Sequence, residues 1–198
     1  MIAVVDYRAG NLTSVKKALD HLGADAIVTR DPEVVAQAGK IILPGVGHFS
    51  ATAILEETGL RTAILRRIEK GVPFLGVCVG MQWMFESSAE APGTPGLGLF
   101  AGACGRFPQS VKSPHVGWNS LTCHEGSRLL RGIPLDSFVY FTHSYSAPVV
   151  NSTVARCEYG GEFSAAVEQG NVFGVQFHPE KSGALGLKLL ENFCGLRC

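Results

Sequence analysis

The stretch Gly71-Val72-Pro73-Phe74-Leu75-Gly76-Val77-Cys78-Val79-Gly80-Met81-Gln82-Trp83-Met84 decides the fold of this chain. Its apolar run, residues 74–77, is bounded by Gly71 and Pro73 in front and Gly80 behind, which is typical of a short, fully buried parallel strand. The large apolar residues that follow predict the start of a buried helix: Met81, Trp83, Met84 and Phe85. The stretch therefore predicts a strand, a tight turn and a helix in the core of an α/β protein.

Cys78 stands where the predicted strand meets the predicted helix, inside Gly76-Val77-Cys78-Val79-Gly80. This Gly-x-Cys-x-Gly pattern is typical of a nucleophile elbow, in which a tight turn lifts a reactive side chain above the carboxyl edge of a sheet. Small flanking residues let the turn close, and a helix N-terminus favours the thiolate form. On this stretch alone, a buried cysteine that packs as a small hydrophobe is the alternative.

Strands and helices alternate in the sequence before this stretch. Strands are predicted over residues 2–5, 26–29 and 40–43. Helices are predicted over residues 12–22, from residue 31 onward, and over residues 50–70 with an interruption near Gly59. This alternation predicts a parallel sheet with helices on both faces. Ligands of such sheets bind beyond the carboxyl ends of the strands, where Cys78 and the loop at residues 44–47 both fall.

The second half of the chain predicts short strands over residues 116–122, 138–142, 153–159, 164–167 and 172–177, and a closing helix over residues 183–193. These strands would extend the sheet or form a small antiparallel layer. The sequence has no internal repeat, low-complexity tract or linker, so we expect one domain over residues 1–198.

Composition excludes several classes of protein. Seventeen basic and seventeen acidic side chains cancel in 198 residues, which leaves no electrostatic footprint for nucleic acid or an anionic membrane. No apolar run reaches the roughly 18 residues that span a bilayer, and we expect no signal peptide. The six cysteines contain no Cys-x-x-Cys pair, so neither a disulfide scaffold nor a metal site is expected, and the cytoplasm is the expected compartment.

A thiolate nucleophile needs a base, and the base needs a group that orients it. His178 and Glu180 follow the apolar strand predicted over residues 172–177. Pro179 favours an extended conformation at His178, and residues two apart in an extended segment face the same way. Glu180 can therefore reach the ring that approaches Cys78. A surface His-Pro-Glu turn is the alternative.

Acyl transfer also needs hydrogen-bond donors for an oxyanion. The amide of Val79 can supply one at the helix start. A second can come from Gly45-Val46, where glycine lets the backbone approach or rotate. Gly45-x-Gly47 could instead be a phosphate loop, but one Gly-x-Gly without a third glycine is weak evidence.

Three motifs together resemble the class I (triad) glutamine amidotransferases: Pro44-Gly45-Val46-Gly47, Gly76-Val77-Cys78-Val79-Gly80-Met81-Gln82 and Phe177-His178-Pro179-Glu180. Further stretches are similar to the glutaminase subunits of imidazole glycerol phosphate synthases: Asp6-Tyr7, Gly10-Asn11, Pro114-His115-Val116-Gly117-Trp118-Asn119, Tyr140-Phe141-Thr142-His143-Ser144-Tyr145 and Lys181-Ser182. The resemblance runs end to end and implies a single-domain, flavodoxin-like α/β fold with a small antiparallel extension.

The resemblance implies a role for each motif residue. Cys78 would attack the side-chain amide of L-glutamine, His178 would move the proton, and Glu180 would orient His178. Ammonia would leave, and water would hydrolyse the glutamyl thioester to glutamate. The implied glutamine-binding residues are Gln82, Glu90, Ser144 and Tyr145. For Glu90, a solvated loop acid is the alternative. No cofactor is implied.

The resemblance also implies a partner. Asn11, Trp118, Tyr140 and Lys181 match positions that contact a cyclase subunit, a (βα)8 barrel that forms a heterodimer with the glutaminase and receives its ammonia. We expect the synthase site on that second chain, because the glutaminase fills these 198 residues. The products would be imidazole glycerol phosphate and aminoimidazole carboxamide ribotide, in histidine biosynthesis. For Trp118 and Tyr140, ordinary core packing is the alternative.

Two residues depart from the family pattern. Val79 stands where leucine is usual, and we expect little effect because only its amide is needed. Arg8 replaces a glycine common in the first turn and could alter the interface.

Three other functions compete with this interpretation. The glutaminase subunits of pyridoxal-phosphate and anthranilate synthases are the nearest, but the stretch Pro114-His115-x-Gly117-Trp118-Asn119 argues against both. The complete set of Cys78, His178 and Glu180 argues against a silent docking subunit. A thiol peptidase is the third alternative.

Overall fold

The computed structural model describes residues 1–123 and 126–197. Within these ranges the strands are β1 (Ile2–Val5), β2 (Ala26–Thr29), β3 (Lys40–Gly45), β4 (Phe74–Cys78), β5 (Phe85–Ser88), β6 (Phe100–Arg106), β7 (His115–Ser120), β8 (Thr122–Cys123), β9 (Phe138–His143), β10 (Tyr145–Ser146), β11 (Thr153–Glu158), β12 (Glu162–Gln169) and β13 (Val172–Val175). The α-helices are α1 (Leu12–His21), α2 (Pro32–Gln37), α3 (Ala53–Glu57), α4 (Leu60–Glu69), α5 (Val79–Gln82) and α6 (Gly183–Gly195). Short 3₁₀ turns cover Phe49–Thr52 and Pro179–Lys181.

The central sheet has the strand order β2-β1-β3-β4-β13-β12-β11-β8. The five strands β2, β1, β3, β4 and β13 run parallel, and β12, β11 and β8 extend the sheet in antiparallel fashion. The order 2-1-3-4 at one end is that of a flavodoxin-like sheet. In such a sheet the strands stay parallel, but the order in which the chain adds them reverses between β1 and β3. The predicted α/β sheet with a small antiparallel extension is confirmed.

Burial follows from this topology. Every residue of β1 and β4 is buried, as both faces of a parallel sheet must be when helices cover them. α1 packs against α6, while α2 packs against α4. α2 starts as the sequence predicts: Asp31 accepts a 2.9 Å hydrogen bond from the amide of Glu33, and Pro32 occupies the first turn.

The helix predicted after Cys78 is much shorter than expected. α5 ends at Gln82, and Phe85 begins a strand instead of continuing the helix. The reason lies in residues 96–99, whose amides bond to the carbonyls of residues 83–86 that a longer helix would use; Leu97, for example, donates to Trp83 at 2.5 Å. Apolar spacing alone could not distinguish these partners.

Two small sheets flank the main one and shape the site. β10, β6 and β5 form a three-stranded sheet, and β7 pairs with β9 in a separate antiparallel ribbon. In that ribbon, His115 pairs with His143 and Trp118 pairs with Tyr140. The strands β5, β6 and β10 were not among the predicted elements.

Across residues 1–123 and 126–197, no helix has the length and apolar character needed to cross a membrane.

Candidate active site

Cys78 occupies a strained turn between β4 and α5. Its backbone has φ 53° and ψ −110°, a conformation that non-glycine residues rarely adopt. The flanking glycines make the turn possible because there is no room for side chains. A Cβ at Gly76 would lie 2.5 Å from the carbonyl oxygen of Gly80, and a Cβ at Gly80 would lie 2.0 Å from the carbonyl oxygen of Leu43. The Gly-x-Cys-x-Gly pattern thus has a steric basis at both glycines.

His178 and Glu180 lie side by side in the buried segment that follows β13. The Nδ1 atom of His178 lies 2.9 Å from Oε1 of Glu180, and each side chain is only 1% exposed. Pro179 and Glu180 begin a 3₁₀ turn, and His178 itself is extended, as its position before proline favours. The carboxylate therefore fixes the ring through Nδ1 and leaves Nε2 for chemistry.

The pKa of His178 reflects its two neighbours. Burial by itself lowers this pKa, but hydrogen bonding and charge from Cys78 and Glu180 outweigh it and raise the pKa to about 10. The sulfur is thus close enough to favour the imidazolium form. Within the described residues, Nε2 nonetheless has no hydrogen-bond partner of good geometry. The ring stands beside the sulfur with its Nε2 atom unpartnered among these residues.

Gln176 is a neighbour of the sulfur that the sequence analysis did not assign to the site. Its Nε2 atom donates to Sγ of Cys78 at 3.6 Å, and the side chain is fully buried. The signal for it was available: Gln176 stands two residues before His178 in an extended segment, so both side chains face the same way.

The loop after β3 lies against the elbow. Gly45 pairs with Cys78 in the sheet. A Cβ at Gly45 would lie 2.4 Å from the hydroxyl of Tyr7 and 2.7 Å from the Cβ of Val79. Glycine is therefore required at position 45 for close packing, and half-buried Val46 follows it toward the cleft.

Tyr7 is a second buried residue that the sequence analysis left without a role. Only 1% of the residue is exposed, and its hydroxyl has no hydrogen-bond partner within the described residues. Burial, with the nearby charge of Cys78, raises the pKa of Tyr7 far above its usual value. The neutral hydroxyl faces the back of the Gly45 segment.

A small cleft of about 40 Å³ opens above the sulfur of Cys78. Its lining is Gly47, Cys78, Val79, Gln82, Glu90, Thr142, His143, Ser144 and Tyr145. The structure thus brings together all four residues expected to hold glutamine and one of the three expected oxyanion residues, Val79. Gly47, Thr142 and His143 line the cleft without having been assigned to it.

The side chains of Gln82 and Glu90, which line the cleft, are each fixed by hydrogen bonds to other residues of the protein. Nε2 of Gln82 donates to the carbonyl of Tyr145 at 2.7 Å and to Oε1 of Gln176 at 3.0 Å. Oε2 of Glu90 accepts a 2.8 Å hydrogen bond from the amide of Phe49. Glu90 is half-buried and anchored, unlike a solvated loop acid.

The residues expected at a partner interface lie on the outer face of the β7–β9 ribbon and beside it. Trp118 is 55% exposed. Its ring meets that of Tyr140 edge-on at 6.0 Å, and Nζ of Lys181 lies 5.6 Å from the Tyr140 ring centre. Such exposure excludes core packing for Trp118. Asn11 lies apart from this group at the start of α1, a helix that contacts the Pro179–Lys181 turn.

Arg8 lies in the turn after β1 and has φ 65°, in the region that favours glycine. A glycine would adopt this conformation without strain. Its amide donates to the carboxylate of Asp6 at 2.8 Å, which helps to hold the turn.

Among the residues that the structure describes, no cluster of three histidine, cysteine, aspartate or glutamate side chains could hold a metal ion. The arrangement instead offers a thiol, an adjacent imidazole oriented by a carboxylate, and a small polar cleft. These are the components of nucleophilic acyl transfer.

Comparison with known proteins gives a consistent family. Residues 3–195 match the family model described as glutamine amidotransferase class-I. The chain is 49% identical over 195 residues to the imidazole glycerol phosphate synthase subunit HisH of Methanothermobacter thermautotrophicus, covering 98% of this chain and 97% of that protein. It is 47% identical over 205 residues to the subunit of the same name from Geobacillus kaustophilus, covering 99% of this chain and 97% of that protein.

Solved structures of low sequence identity share the fold. A crystal structure of a glutamine amidotransferase superimposes with a TM-score of 0.77 at 22% identity, covering 99% of this chain and 100% of that one. The structure of PurLQS from Thermotoga maritima gives a TM-score of 0.75 at 23% identity, covering 97% and 96%. At this identity the likeness concerns the fold alone.

Proposed function

The chain belongs to the class I glutamine amidotransferase family and, within it, to the HisH subunits of imidazole glycerol phosphate synthase, and on this premise we propose that Cys78, His178 and Glu180 hydrolyse L-glutamine. The protein is the glutaminase subunit of that synthase, an enzyme of histidine biosynthesis. The ammonia that it releases is used by a second subunit, the cyclase, to form imidazole glycerol phosphate and aminoimidazole carboxamide ribotide.

The main support for the proposed triad is the buried pair of His178 and Glu180 beside the sulfur of Cys78. The two side chains are each 1% exposed and lie 2.9 Å apart. Burying a carboxylate costs desolvation free energy, which the contact with His178 offsets only if the two groups stay paired. The pKa of His178, raised to about 10 by Cys78 and Glu180 against the effect of burial, favours the imidazolium form of the ring beside the sulfur. An imidazolium next to a cysteine is the arrangement that activates the thiol as a nucleophile.

In the first step, the Cys78 thiolate attacks the side-chain amide carbon of glutamine and the carbonyl electrons move onto oxygen. The amide of Val79 and an amide of the Gly45–Val46 segment donate to that oxygen. The imidazolium of His178 gives its Nε2 proton to the nitrogen, the carbon–nitrogen bond breaks, and ammonia leaves. A glutamyl thioester on Cys78 and a neutral His178 remain.

In the second step, His178 removes a proton from a water molecule, which attacks the thioester carbon. The carbon–sulfur bond breaks, and the new carboxyl group gives its proton to solvent as glutamate leaves. The sulfur departs as a thiolate while His178 keeps the proton, so the starting pair is restored. Glu180 orients His178 through Nδ1 in both steps and stabilises its charge, as the 2.9 Å contact supports.

Gln82, Glu90, Ser144 and Tyr145 form the glutamine site. The Glu90 carboxylate, anchored by the amide of Phe49, suits the α-ammonium group of the substrate. Both Nε2 hydrogens of Gln82 are taken by protein acceptors, so its Oε1 atom is the group that it can offer to the substrate. Gln82 therefore accepts a hydrogen bond from glutamine rather than donating one to its carboxylate.

The partner is a cyclase with a (βα)8-barrel fold, in a heterodimer that channels ammonia from one site to the other. Trp118, Tyr140 and Lys181 form the contact surface, with Asn11 nearby. Exposed Val116 and Phe138 support this assignment, because they surround Trp118 with apolar surface of the kind that marks protein interfaces.

We assign the glutaminase to one domain over residues 1–198 and place it in the cytoplasm. The free thiols of Cys78, Cys104, Cys157 and Cys194 support a reducing compartment.

The decisive experiment measures glutamate release from glutamine by this chain alone, with a cyclase subunit, and with that subunit and its ribotide ligand. We expect release mainly in the full mixture, and its loss in Cys78→Ala. Ammonium salts should still support cyclisation by the complex that contains Cys78→Ala. No release under any condition would favour a docking subunit without catalysis, and ordinary turnover by Cys78→Ala would rule out the mechanism.

A further inference from the structure

The inner face of the β7–β9 ribbon carries two buried histidines in contact. His115 and His143 are opposite each other in the antiparallel register, and 4% and 7% of their surfaces are exposed. Nδ1 of His115 lies 3.2 Å from Nε2 of His143. Neither histidine has a role in the proposed chemistry, although His143 lines the glutamine cleft.

The hydrogen bonds around the pair fix where each proton lies. Nδ1 of His143 is 2.9 Å from the carbonyl oxygen of Tyr145, which can only accept, so Nδ1 carries the hydrogen. In a neutral ring, Nε2 of His143 is then an acceptor, and Nδ1 of His115 must be the donor to it. Nε2 of His115 is left to accept from the side-chain amide of Asn119, at 3.4 Å.

Both rings stay neutral in this environment. Burial lowers the pKa of His115 to about 4. Burial also lowers the pKa of His143 to about 3, against the opposing effect of its hydrogen bond to the Tyr145 carbonyl. Aromatic rings pack around the pair; the ring of Tyr159 stacks on His115 at 3.9 Å. Only one proton arrangement therefore satisfies every bond, with all donors pointing from Asn119 toward Tyr145.

The Tyr145 carbonyl connects the hydrogen bonds of the two histidines to those around the sulfur of Cys78. It also accepts from Nε2 of Gln82 at 2.7 Å, and Gln82 donates to Gln176 at 3.0 Å. Gln176 in turn donates to the sulfur of Cys78 at 3.6 Å. The position of one carbonyl thus sets the orientation of the Gln82 amide, on which the polarity of the glutamine site depends.

We propose that His115 and His143 are a pair of positioning residues that hold the Tyr145 carbonyl and, through it, the Gln82 amide in the orientation that binds glutamine. This inference rests on the proposed glutaminase function and adds residues outside the triad to it. The pair acts on substrate binding rather than on bond breaking, so its loss should appear in KM for glutamine.

The first test compares His143→Leu with His143→Asn in the complex with the cyclase. Asparagine can place an N–H near the position of Nδ1 and keep the bond to Tyr145, whereas leucine has a similar size and no donor. We expect His143→Leu to raise KM for glutamine about tenfold, the effect of one lost hydrogen bond, and His143→Asn to recover most of that loss. Turnover with ammonium salts should match the wild type in both. Equal KM values in the two variants would overturn the proposal.

A second pair of variants covers the case in which His143→Leu does not fold. His115→Leu removes the donor to Nε2 of His143, and His115→Asn can keep it. We expect a higher KM for glutamine in His115→Leu than in His115→Asn, and the same KM in both would overturn the proposal.

A spectroscopic test is independent of activity. Nitrogen NMR of the chain with ¹⁵N-labelled histidine should show the Nδ1–H tautomer for both His115 and His143 at neutral pH. An Nε2–H tautomer at either residue would overturn the proposal even if glutamine is hydrolysed normally. Conversely, wild-type protein without glutaminase activity would remove the proposed function while leaving the tautomers as found.

Discussion

The main-chain amide of His178 donates a 2.9 Å hydrogen bond to the carbonyl of Tyr140. The amide of Tyr140 donates to Oγ of Ser182 at 3.0 Å, and that hydroxyl donates back to the carbonyl of His178 at 2.7 Å. The side chain of Tyr140 meanwhile contacts Trp118 on the outer face of the ribbon. One main-chain hydrogen bond therefore links Tyr140, on the surface proposed to bind the cyclase, to His178, the proposed catalytic base. A shift of β9 on docking would move the backbone of His178.

Trp118→Ala tests this surface. Since Trp118 is 55% exposed, we expect the free energy of unfolding to change by less than about 0.5 kcal/mol. Affinity for the cyclase, measured by calorimetry, should fall by about tenfold or more, because exposed tryptophans often dominate interfaces. Leu135→Ala is the control: Leu135 is 67% exposed but outside the ribbon, so its loss should leave affinity unchanged. A large loss of thermal stability in Trp118→Ala would point to packing instead.

Tyr7→Phe tests the unpartnered hydroxyl behind Gly45. A buried hydroxyl without a partner is unfavourable, so we expect its removal to raise the free energy of unfolding by about 1 kcal/mol. Tyr159→Phe is the matched control. The Tyr159 hydroxyl donates to the carbonyl of Lys112 at 2.6 Å, and its loss should destabilise the protein. Urea denaturation measures both. If Tyr7→Phe is the less stable protein, its hydroxyl binds a partner such as water.

The sequence predicted the parts of this molecule that depend on local pattern. The apolar run before Cys78 and the strand at Ala26–Thr29 follow from hydrophobicity and turn residues. The candidate triad is recognisable because His178 and Glu180 are two residues apart in a segment that proline keeps extended. Glycines mark the elbow because there is no space there for a side chain.

What could not be predicted depends on contacts between distant parts of the chain. The strand Phe100–Arg106 contains two glycines and two alanines, is largely exposed, and is defined by the strands on either side of it. The bond from Gln82 to Tyr145 joins residues 63 apart in sequence, and the His115–His143 contact joins residues 28 apart. Neither has a local signal, because each depends on how the ribbon packs against the main sheet.

The pH dependence of the triad gives a further prediction. The pKa of His178 in the folded protein, about 10, is above the ordinary value of about 6.5 for the unfolded chain. The protonated ring therefore stabilises the fold fully below about pH 6.5, and this contribution disappears as the pH rises through about 10. Glu180→Gln removes one of the two partners that raise the pKa, so the ring should be neutral at lower pH than in the wild type.

Two measurements check this. Titration of the His178 ring by NMR should give a lower pKa in Glu180→Gln than in the wild type. The difference in unfolding free energy between the two proteins should be larger at pH 6 than at pH 10.5. Glu162→Gln, which breaks only the exposed ion pair with Arg156, is the control and should leave the titration of His178 unchanged. An unaltered pKa in Glu180→Gln would mean that the carboxylate does not hold the imidazolium.

The backbone of Cys78 gives the most direct test of the elbow. Its φ of 53° with ψ of −110° is unfavourable for any residue with a Cβ, and glycine relieves it. Cys78→Gly and Cys78→Ala both remove the thiol and should both abolish glutamine hydrolysis. We expect the glycine variant to be the more stable by about 1 kcal/mol, because relief of strain exceeds the cost of glycine's greater freedom in the unfolded chain.

Cys104 provides a control of opposite sign. It is also a buried cysteine without a disulfide, but it lies in the strand Phe100–Arg106 and not among the residues with positive φ. There Cys104→Gly should be less stable than Cys104→Ala by about 0.5–1 kcal/mol, the usual cost of glycine in a strand. Urea denaturation of the four variants gives both differences. If alanine is at least as stable as glycine at both positions, the elbow holds no strain, and the reactivity of Cys78 must come from its neighbours alone.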